Sequence, residues 1–322
     1  MKHRFRAVTL LSLLSEMSYA QQELKGSDTM AQMTRAIIYD LGLYDQLNYT
    51  GGGTTLGLAN TCQRFQAVSP ASRLAQPPEL DCAAQHSMEL FNSSPIALDA
   101  VNVIVNDQGN HDLVNIKVTD VGNIYHCNYT TWDQVPTSTV GGPIRRYGRD
   151  GNAGTTHVFV SQLFWRDGAL QQFPSLPNGD ENYWEERFPC VFPIHGDGAT
   201  LVLGEIAAAD ARAIVYSGGP ALRDSDRALC VSDDVNFDPP RDPVCPGVAT
   251  IEDYSYFWAY PLYYYFTDGP HSSAEWTLLN AVIDVVFPFN PHCAYLQSFV
   301  DGSHFYPGPT CYSGNVVRRP LE

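Results

Sequence analysis

Two hydrophobic rhythms alternate along this chain. Consecutive β-branched and aromatic residues in Val101-Asn102-Val103-Ile104-Val105-Asn106, Val114-Asn115-Ile116-Lys117-Val118 and Ala213-Ile214-Val215-Tyr216 predict strands. Between such runs the spacing becomes helical. Met33, Ile37, Ile38 and Leu41 share one face, and residues 157–164 repeat the pattern. Farther on, residues 263–266, just past Pro261, predict a buried aromatic strand, and 276–286 a helix ended by Pro288. Strands alternating with helices predict an α/β fold. Loop-rich insertions at 167–189 and 224–246 interrupt the alternation, and no internal repeat is visible.

The polar breaks carry the candidate chemistry. Arg149-Asp150-Gly151-Asn152-Ala153-Gly154-Thr155-Thr156 starts with a fixed cation and ends in two hydroxyls where a helix is due to start. A helix N-terminus presents free N–H groups and roughly half a positive charge, and an arginine adds a planar fork of donors suited to an oxyanion. Gly26-Ser27-Asp28-Thr29-Met30 and Gly51-Gly52-Gly53-Thr54-Thr55-Leu56-Gly57 also precede predicted helices, and Ser69-Pro70-Ala71-Ser72-Arg73 repeats the pairing of hydroxyls with a cation. Any one of these loops reads equally well as ordinary helix capping. Four together predict an anion cradle.

Composition narrows the class. The 322 residues are 44% hydrophobic and 17% charged, as in a globular protein large enough for two domains. Lys2, Arg4 and Arg6 precede a short apolar run, and Ser18-Tyr19-Ala20 offers a cleavage site, so residues 1–20 predict a secretory signal and a periplasmic or secreted location. No later run reaches the ~18 apolar residues of a membrane span. Eight cysteines, none in a Cys-x-x-Cys pair, fit disulfides in an exported protein better than a metal site. Neighbouring cysteines suggest Cys62–Cys82, Cys230–Cys245 and Cys293–Cys311, leaving Cys127 and Cys190.

The net charge of −16 becomes about −18 once the three basic and one acidic residues of the signal are removed, which excludes a nucleic-acid partner. An anion site is compatible with that field. Charges beyond a Debye length of about 8 Å are screened, whereas donors at contact distance are not.

Taken in order, these segments resemble the PstS-like phosphate-binding proteins of bacterial phosphate ABC importers. The resemblance rests on Gly26-Ser27-Asp28-Thr29-Met30, Gly53-Thr54-Thr55-Leu56-Gly57, Ala71-Ser72-Arg73, and the strand Ala97-Leu98-Asp99-Ala100-Val101-Asn102-Val103-Ile104-Val105-Asn106. It continues through Thr131-Trp132-Asp133-Gln134-Val135, the Arg149 to Thr155 loop and Tyr260-Pro261-Leu262. It implies a two-lobed periplasmic-binding-protein fold of type II. The first lobe would be discontinuous, residues 23–104 plus 251–322, and the second would span 105–250. It further implies a monomer without cofactor or metal that closes on dehydrated phosphate and delivers it to an ABC permease. The implied ligand set is Thr29, Thr54, Ser72, Arg73, Arg149, Gly154 and Thr155, with backbone amides at Met30 and Ala153.

Two positions depart from the family pattern. Ala153 stands where a serine is usual, and Thr155 or Thr156 is expected to compensate. Arg73 stands where some members place an aspartate that accepts the proton of hydrogen phosphate, so Asp28 or Asp99 becomes the alternative acceptor. The absence of a Gly-x-Ser-x-Gly elbow and of a phosphate-loop lysine argues against hydrolase and nucleotide chemistry. His195-Gly196-Asp197-Gly198 reads as a surface turn, His157 as a neutral core or edge residue, and Tyr216-Ser217-Gly218-Gly219-Pro220 as a strand-end turn. Two alternatives stay open: a secreted paralogue that binds another oxyanion or a partner protein, and a phosphatase-like hydrolase.

Overall fold

The structure is a computed structural model that describes residues 21–283, apart from 94, 110–111, 167–168, 175, 178–179, 197, 224–225 and 270, together with 306–307. The expected signal segment, the suggested Cys293–Cys311 pair and the end of the last predicted helix beyond Ile283 lie outside the described residues.

Two five-stranded sheets organise the chain. In the first, the long strand Ala259–Thr267 pairs antiparallel with Val68–Ala71, Leu90–Asn92 and Ala97–Ala100, and Tyr306–Pro307 adds to the outer side of Ala97–Ala100. In the second, Val191–Ile194, Arg145–Arg149 and Ala213–Ser217 run parallel, and Asn102–Asn106 and Asp226–Ala228 complete it in antiparallel fashion. A separate parallel pair, Gln22–Gly26 with Leu47–Gly52, flanks helix Ala31–Asp40. The fold is therefore α/β, as the alternating pattern predicts.

The apolar run at 101–106 has a structural cause. Strand Asn102–Asn106 is buried along its whole length. Val103 and Val105 face the main core, whereas Ile104 packs with Leu203, Ala207 and Val215 beneath helix Ala199–Ala209. A strand covered on both faces has no polar side to alternate with.

The chain passes from the first sheet to the second through Val101 alone and comes back near Trp258. The two connections are joined: Val101 N–H donates to the Trp258 carbonyl at 3.1 Å, and the Tyr256 hydroxyl to the Val101 carbonyl at 3.3 Å.

Three local expectations are corrected. The aromatic strand begins at Ala259 and runs through Pro261, and its pairing changes from Ala97–Ala100 to Val68–Ala71 between Leu262 and Tyr263. The helix expected at 157–164 spans Gly154–Ser161, and Phe164 opens a strand, Phe164–Arg166. Ser69, Pro70 and Ala71 form a buried strand rather than a helix start, and the next helix begins only at Pro77. That strand lies at a sheet edge, where a proline is tolerated.

Helix Gly154–Ser161 is anchored by Phe159, which stacks on Tyr216 at 4.0 Å between ring centroids and lies 5.4 Å from Trp258. Burying such a ring contributes about 1.5–3 kcal/mol. Disulfides join Cys62 to Cys82 and Cys230 to Cys245, as neighbour pairing suggests, and Cys127 to Cys190.

Candidate functional site

Four of the predicted loops converge. Thr29 lies in the short turn Asp28–Met30 that leads into helix Ala31–Asp40, and Thr54 opens helix Thr54–Cys62. Ser72 follows strand Val68–Ala71, and Gly154 and Thr155 open helix Gly154–Ser161. Thr29 Oγ1 lies 3.1 Å from Thr155 Oγ1, and Thr54 Oγ1 lies 3.2 Å from Ser72 Oγ. Gly154 sits between these groups: a Cβ there would fall 2.3 Å from Ser72 Oγ and 2.8 Å from Thr54 Oγ1. Gly53, at φ 95°, brings its loop against the facing one, where a Cβ would meet the Asn152 carbonyl at 2.7 Å. All the hydroxyl-bearing members are at most 2% exposed.

Arg149 ends strand Arg145–Arg149, is 1% exposed, and joins the Thr29 turn through Asp28. Its Nη2 pairs with Asp28, and its Nη1 donates to Thr200 Oγ1 at 2.7 Å. Its buried Nε has no hydrogen-bond partner among the described residues. A buried guanidinium donor without an acceptor is costly, and an oxyanion supplies the acceptor. Asp28 is held on its other oxygen by the Gly52 N–H at 2.7 Å. Burial pushes its carboxyl up, while Arg149 and the Gly52 amide act in the opposite direction. The Arg149–Asp28 pair is formally neutral, so directed donors rather than net charge decide what this site attracts.

The other predicted site residues play more local parts. The Met30 N–H donates to the Ser27 carbonyl at 3.1 Å, and the Ala153 N–H to the Asp150 carbonyl at 3.2 Å, so both amides are held within their turns. Thr156 and His157 both donate their N–H to the Ala153 carbonyl, which leaves the Gly154 and Thr155 amides at the open helix end. Arg73 is turned onto Glu79 through two bonds of 2.6 and 2.8 Å and reaches Thr55 Oγ1 at 2.9 Å. Thr156, expected to stand in for a serine at 153, donates instead to the Arg149 carbonyl at 3.0 Å and contacts the Tyr216 hydroxyl. His157 is buried, and its pKa is lowered to about 3 by desolvation first and by Arg73 second, so it is neutral.

Several neighbours escaped the sequence reading. Thr200 belongs to helix Ala199–Ala209, which follows Gly198 in a left-handed conformation, φ 80°. Gly198 therefore leads into a group that holds Arg149, and two glycines before a threonine were the available signal. Asp99, named from the sequence as an alternative acceptor, has a partner that the sequence did not pair with it, Tyr260. The Tyr260 hydroxyl donates to Asp99 Oδ2 at 2.7 Å, and the Gly219 N–H to Asp99 Oδ1 at 2.9 Å. Burial and the neighbouring Asp99 push the Tyr260 hydroxyl well above its ordinary range. Asp99 is fully buried, and desolvation raises its pKa to about 6 against the pull of the Gly219, Tyr260 and Ala100 donors.

Cys62, Cys82 and His86 are grouped tightly enough for a metal, but both sulfurs are spent in a disulfide. An open cavity of about 880 Å³, bordered by Lys117, Asp120, Arg166 and Asp234, lies elsewhere and shares no residue with the cluster.

No protein-family model matches the chain, and no curated protein matches it in sequence. Solved structures do match it in fold. A high-affinity periplasmic phosphate-binding protein (PfluDING) bound with phosphate is 16% identical, with a TM-score of 0.65 over 90% of this chain and 91% of its own. A phosphate-binding protein from Stenotrophomonas maltophilia is 14% identical, with a TM-score of 0.61 over 90% of this chain and 91% of its own. An ABC-type phosphate transport receptor from Vibrio cholerae is 15% identical, with a TM-score of 0.59 over 89% of this chain and 99% of its own. The chain thus has the α/β fold of periplasmic phosphate-binding proteins.

Proposed function

We propose that this protein is an extracytoplasmic, non-enzymatic receptor that binds inorganic phosphate and hands it to an ABC permease. The observation that carries the reading is the buried group of Thr29, Thr54, Ser72 and Thr155 hydroxyls that meets about Gly154, next to the Asp28–Arg149 pair whose Arg149 Nε lacks an acceptor among the described residues. The Gly154 and Thr155 amides add the positive end of a helix. Arg73, neutralised by Glu79, contributes by holding Thr55.

In this reading the two sheets belong to two lobes, with the crossovers at Val101 and Trp258 as the hinge. Burial of every proposed ligand residue then corresponds to the closed form, and entry of the ion requires opening about that hinge. The protein acts as a monomer, exported by its N-terminal signal. Among the described residues no helix is long and apolar enough to cross a membrane, which fits a receptor that meets its permease from outside. The second reading, a secreted paralogue for another oxyanion, is favoured by one observation: Arg73 occupies a position used for proton acceptance in the resembling family and is itself tied to Glu79.

Calorimetric titration decides between them. Protein unfolded and refolded to strip carried-over ligand is expected to bind one phosphate saturably. Absence of heat and of any thermal shift with millimolar phosphate would count against the proposal, and tighter binding of a different oxyanion would establish the second reading.

A further inference from the structure

We propose that the open cavity of about 880 Å³ at the start of helix Val118–Tyr125 is a second ligand site, and that it takes a short neutral oligosaccharide. It shares no residue with the anion cluster, so this inference stands or falls apart from the phosphate reading.

Three parts of the chain build the cavity. Asp120 lies in the first turn of the helix, and Lys117 immediately precedes it. Arg166 ends the first strand of the hairpin that pairs Phe164–Arg166 with Leu170–Gln172. Asp234 and Phe237 come from the segment closed by the Cys230–Cys245 disulfide. That segment is tied to the helix, because Asp234 accepts both the Thr119 N–H, at 3.1 Å, and the Thr119 hydroxyl. Arg241 covers the Phe237 ring at 3.4 Å from its centroid. The walls are thus fixed before any ligand arrives, as in most small-molecule sites.

Asp120 is the group that calls for a ligand. It is 5% exposed, and one carboxyl oxygen accepts the Tyr129 hydroxyl at 3.3 Å. The other, Oδ2, is buried and has no hydrogen-bond partner among the described residues. Such an acceptor is costly to leave unpaired, and a ligand donor relieves it. Asp234 has no such vacancy, since Thr119 engages both of its oxygens. On the donor side, Lys117 and Arg166 border the same cavity, and neither side chain forms an ion pair or hydrogen bond among the described residues.

This mixture selects the class of ligand. A simple anion would meet Asp120 and Asp234, and a simple cation would meet Lys117 and Arg166. A sugar hydroxyl donates and accepts at once, so it serves Asp120 and the two cations without bringing charge. Tyr129 and Phe237 offer rings for the C–H face of a pyranose. A zwitterion of amino-acid size also matches the charges. The volume, however, lies towards the upper end of the roughly 300–1,000 Å³ of small-molecule sites, which several linked sugar rings fill and one amino acid does not.

The test is saturation-transfer NMR followed by calorimetry, with cellotriose, maltotriose, xylotriose and N-acetylchitotriose as probes and glycine and arginine as controls. The parent is expected to bind at least one trisaccharide saturably. Asp120→Ala and Arg166→Ala should each weaken it by about tenfold or more while leaving the phosphate Kd unchanged. If Asp120→Ala fails to fold, Arg166→Ala, an exposed position, decides alone. A parent that binds none of the four at up to about 10 mM overturns the inference. So does trisaccharide binding that the folded variants retain at parental strength, or capture of glycine or arginine in place of the sugars. A parent that binds a trisaccharide but no phosphate supports the inference and overturns the receptor reading alone.

Discussion

Adding one methyl group at Gly154 should nearly abolish binding without unfolding the protein. The Cβ of an alanine would arrive 2.3 Å from Ser72 Oγ, 2.8 Å from Thr54 Oγ1 and 3.2 Å from the Ser72 carbonyl carbon. Both hydroxyls must move away, and the methyl takes the space they share. A hydrogen bond to a charged ligand contributes about 1.5–3 kcal/mol, so losing two costs roughly 3–6 kcal/mol, on the order of a hundred- to ten-thousandfold in Kd. The cost to folding is smaller. Gly154 opens a helix with ordinary backbone angles, where alanine returns up to about 1 kcal/mol of chain entropy. Breaking the Thr54–Ser72 hydrogen bond offsets about the same amount. Phosphate calorimetry on Gly154→Ala, paired with urea unfolding in the absence of phosphate, separates the two effects. A folded variant whose Kd stays within about threefold of the parent would refute the placement of the ion between these loops.

Two further predictions test the charged groups. Arg149→Ala should eliminate phosphate binding and destabilise the protein by about 3–5 kcal/mol, because Asp28 is left buried without its partner. Adding Asp28→Asn should recover most of the stability and none of the binding, and a double variant as unstable as the single one in urea would contradict the ion-pair argument. The raised pKa of Asp99, about 6 against an ordinary 3.8, means that the folded state binds the proton more tightly than the unfolded one. Its stabilising contribution is complete below about pH 4 and is lost as pH rises towards 6, to a total of about 3 kcal/mol at most. Ligand-free parent compared with Asp99→Asn by urea unfolding at pH 4 and pH 7 should therefore show the parent losing more stability on going to pH 7. Parallel pH profiles would contradict it.

What the sequence made legible was local. Hydroxyls and glycines just ahead of helices identify Thr29, Thr54, Gly154 and Thr155 because capping chemistry and anion binding use the same free amides. Arg149 was legible for a similar reason, as a cation at the end of a strand. The groups that were missed act across long separations. Thr200 reaches Arg149 from 51 residues away, and the meeting of Tyr260 with Asp99, a residue the sequence did single out, spans 161. No periodicity or spacing encodes such meetings, which arise only when the sheets form. Pro261 hid the first half of its strand, since proline usually marks a strand's limit. Arg73 illustrates the converse. Its place beside Ser72 suggested a ligand, but Glu79, which caps helix Pro77–Gln85, captures the guanidinium first. Cys127 and Cys190 are separated by 63 residues, too far for neighbour pairing to join them except by default.

The most direct measurement is to locate the ion itself. Arsenate is a tetraoxo isostere of phosphate with strong anomalous scattering, so crystals of ligand-stripped protein grown with arsenate would report its position. The account predicts one anomalous peak within hydrogen-bonding distance of Arg149 and of the Thr29, Thr54, Ser72 and Thr155 hydroxyls. A peak elsewhere, for instance beside Lys117 and Arg166 in the open cavity, or none in a protein that binds phosphate in solution, would contradict it.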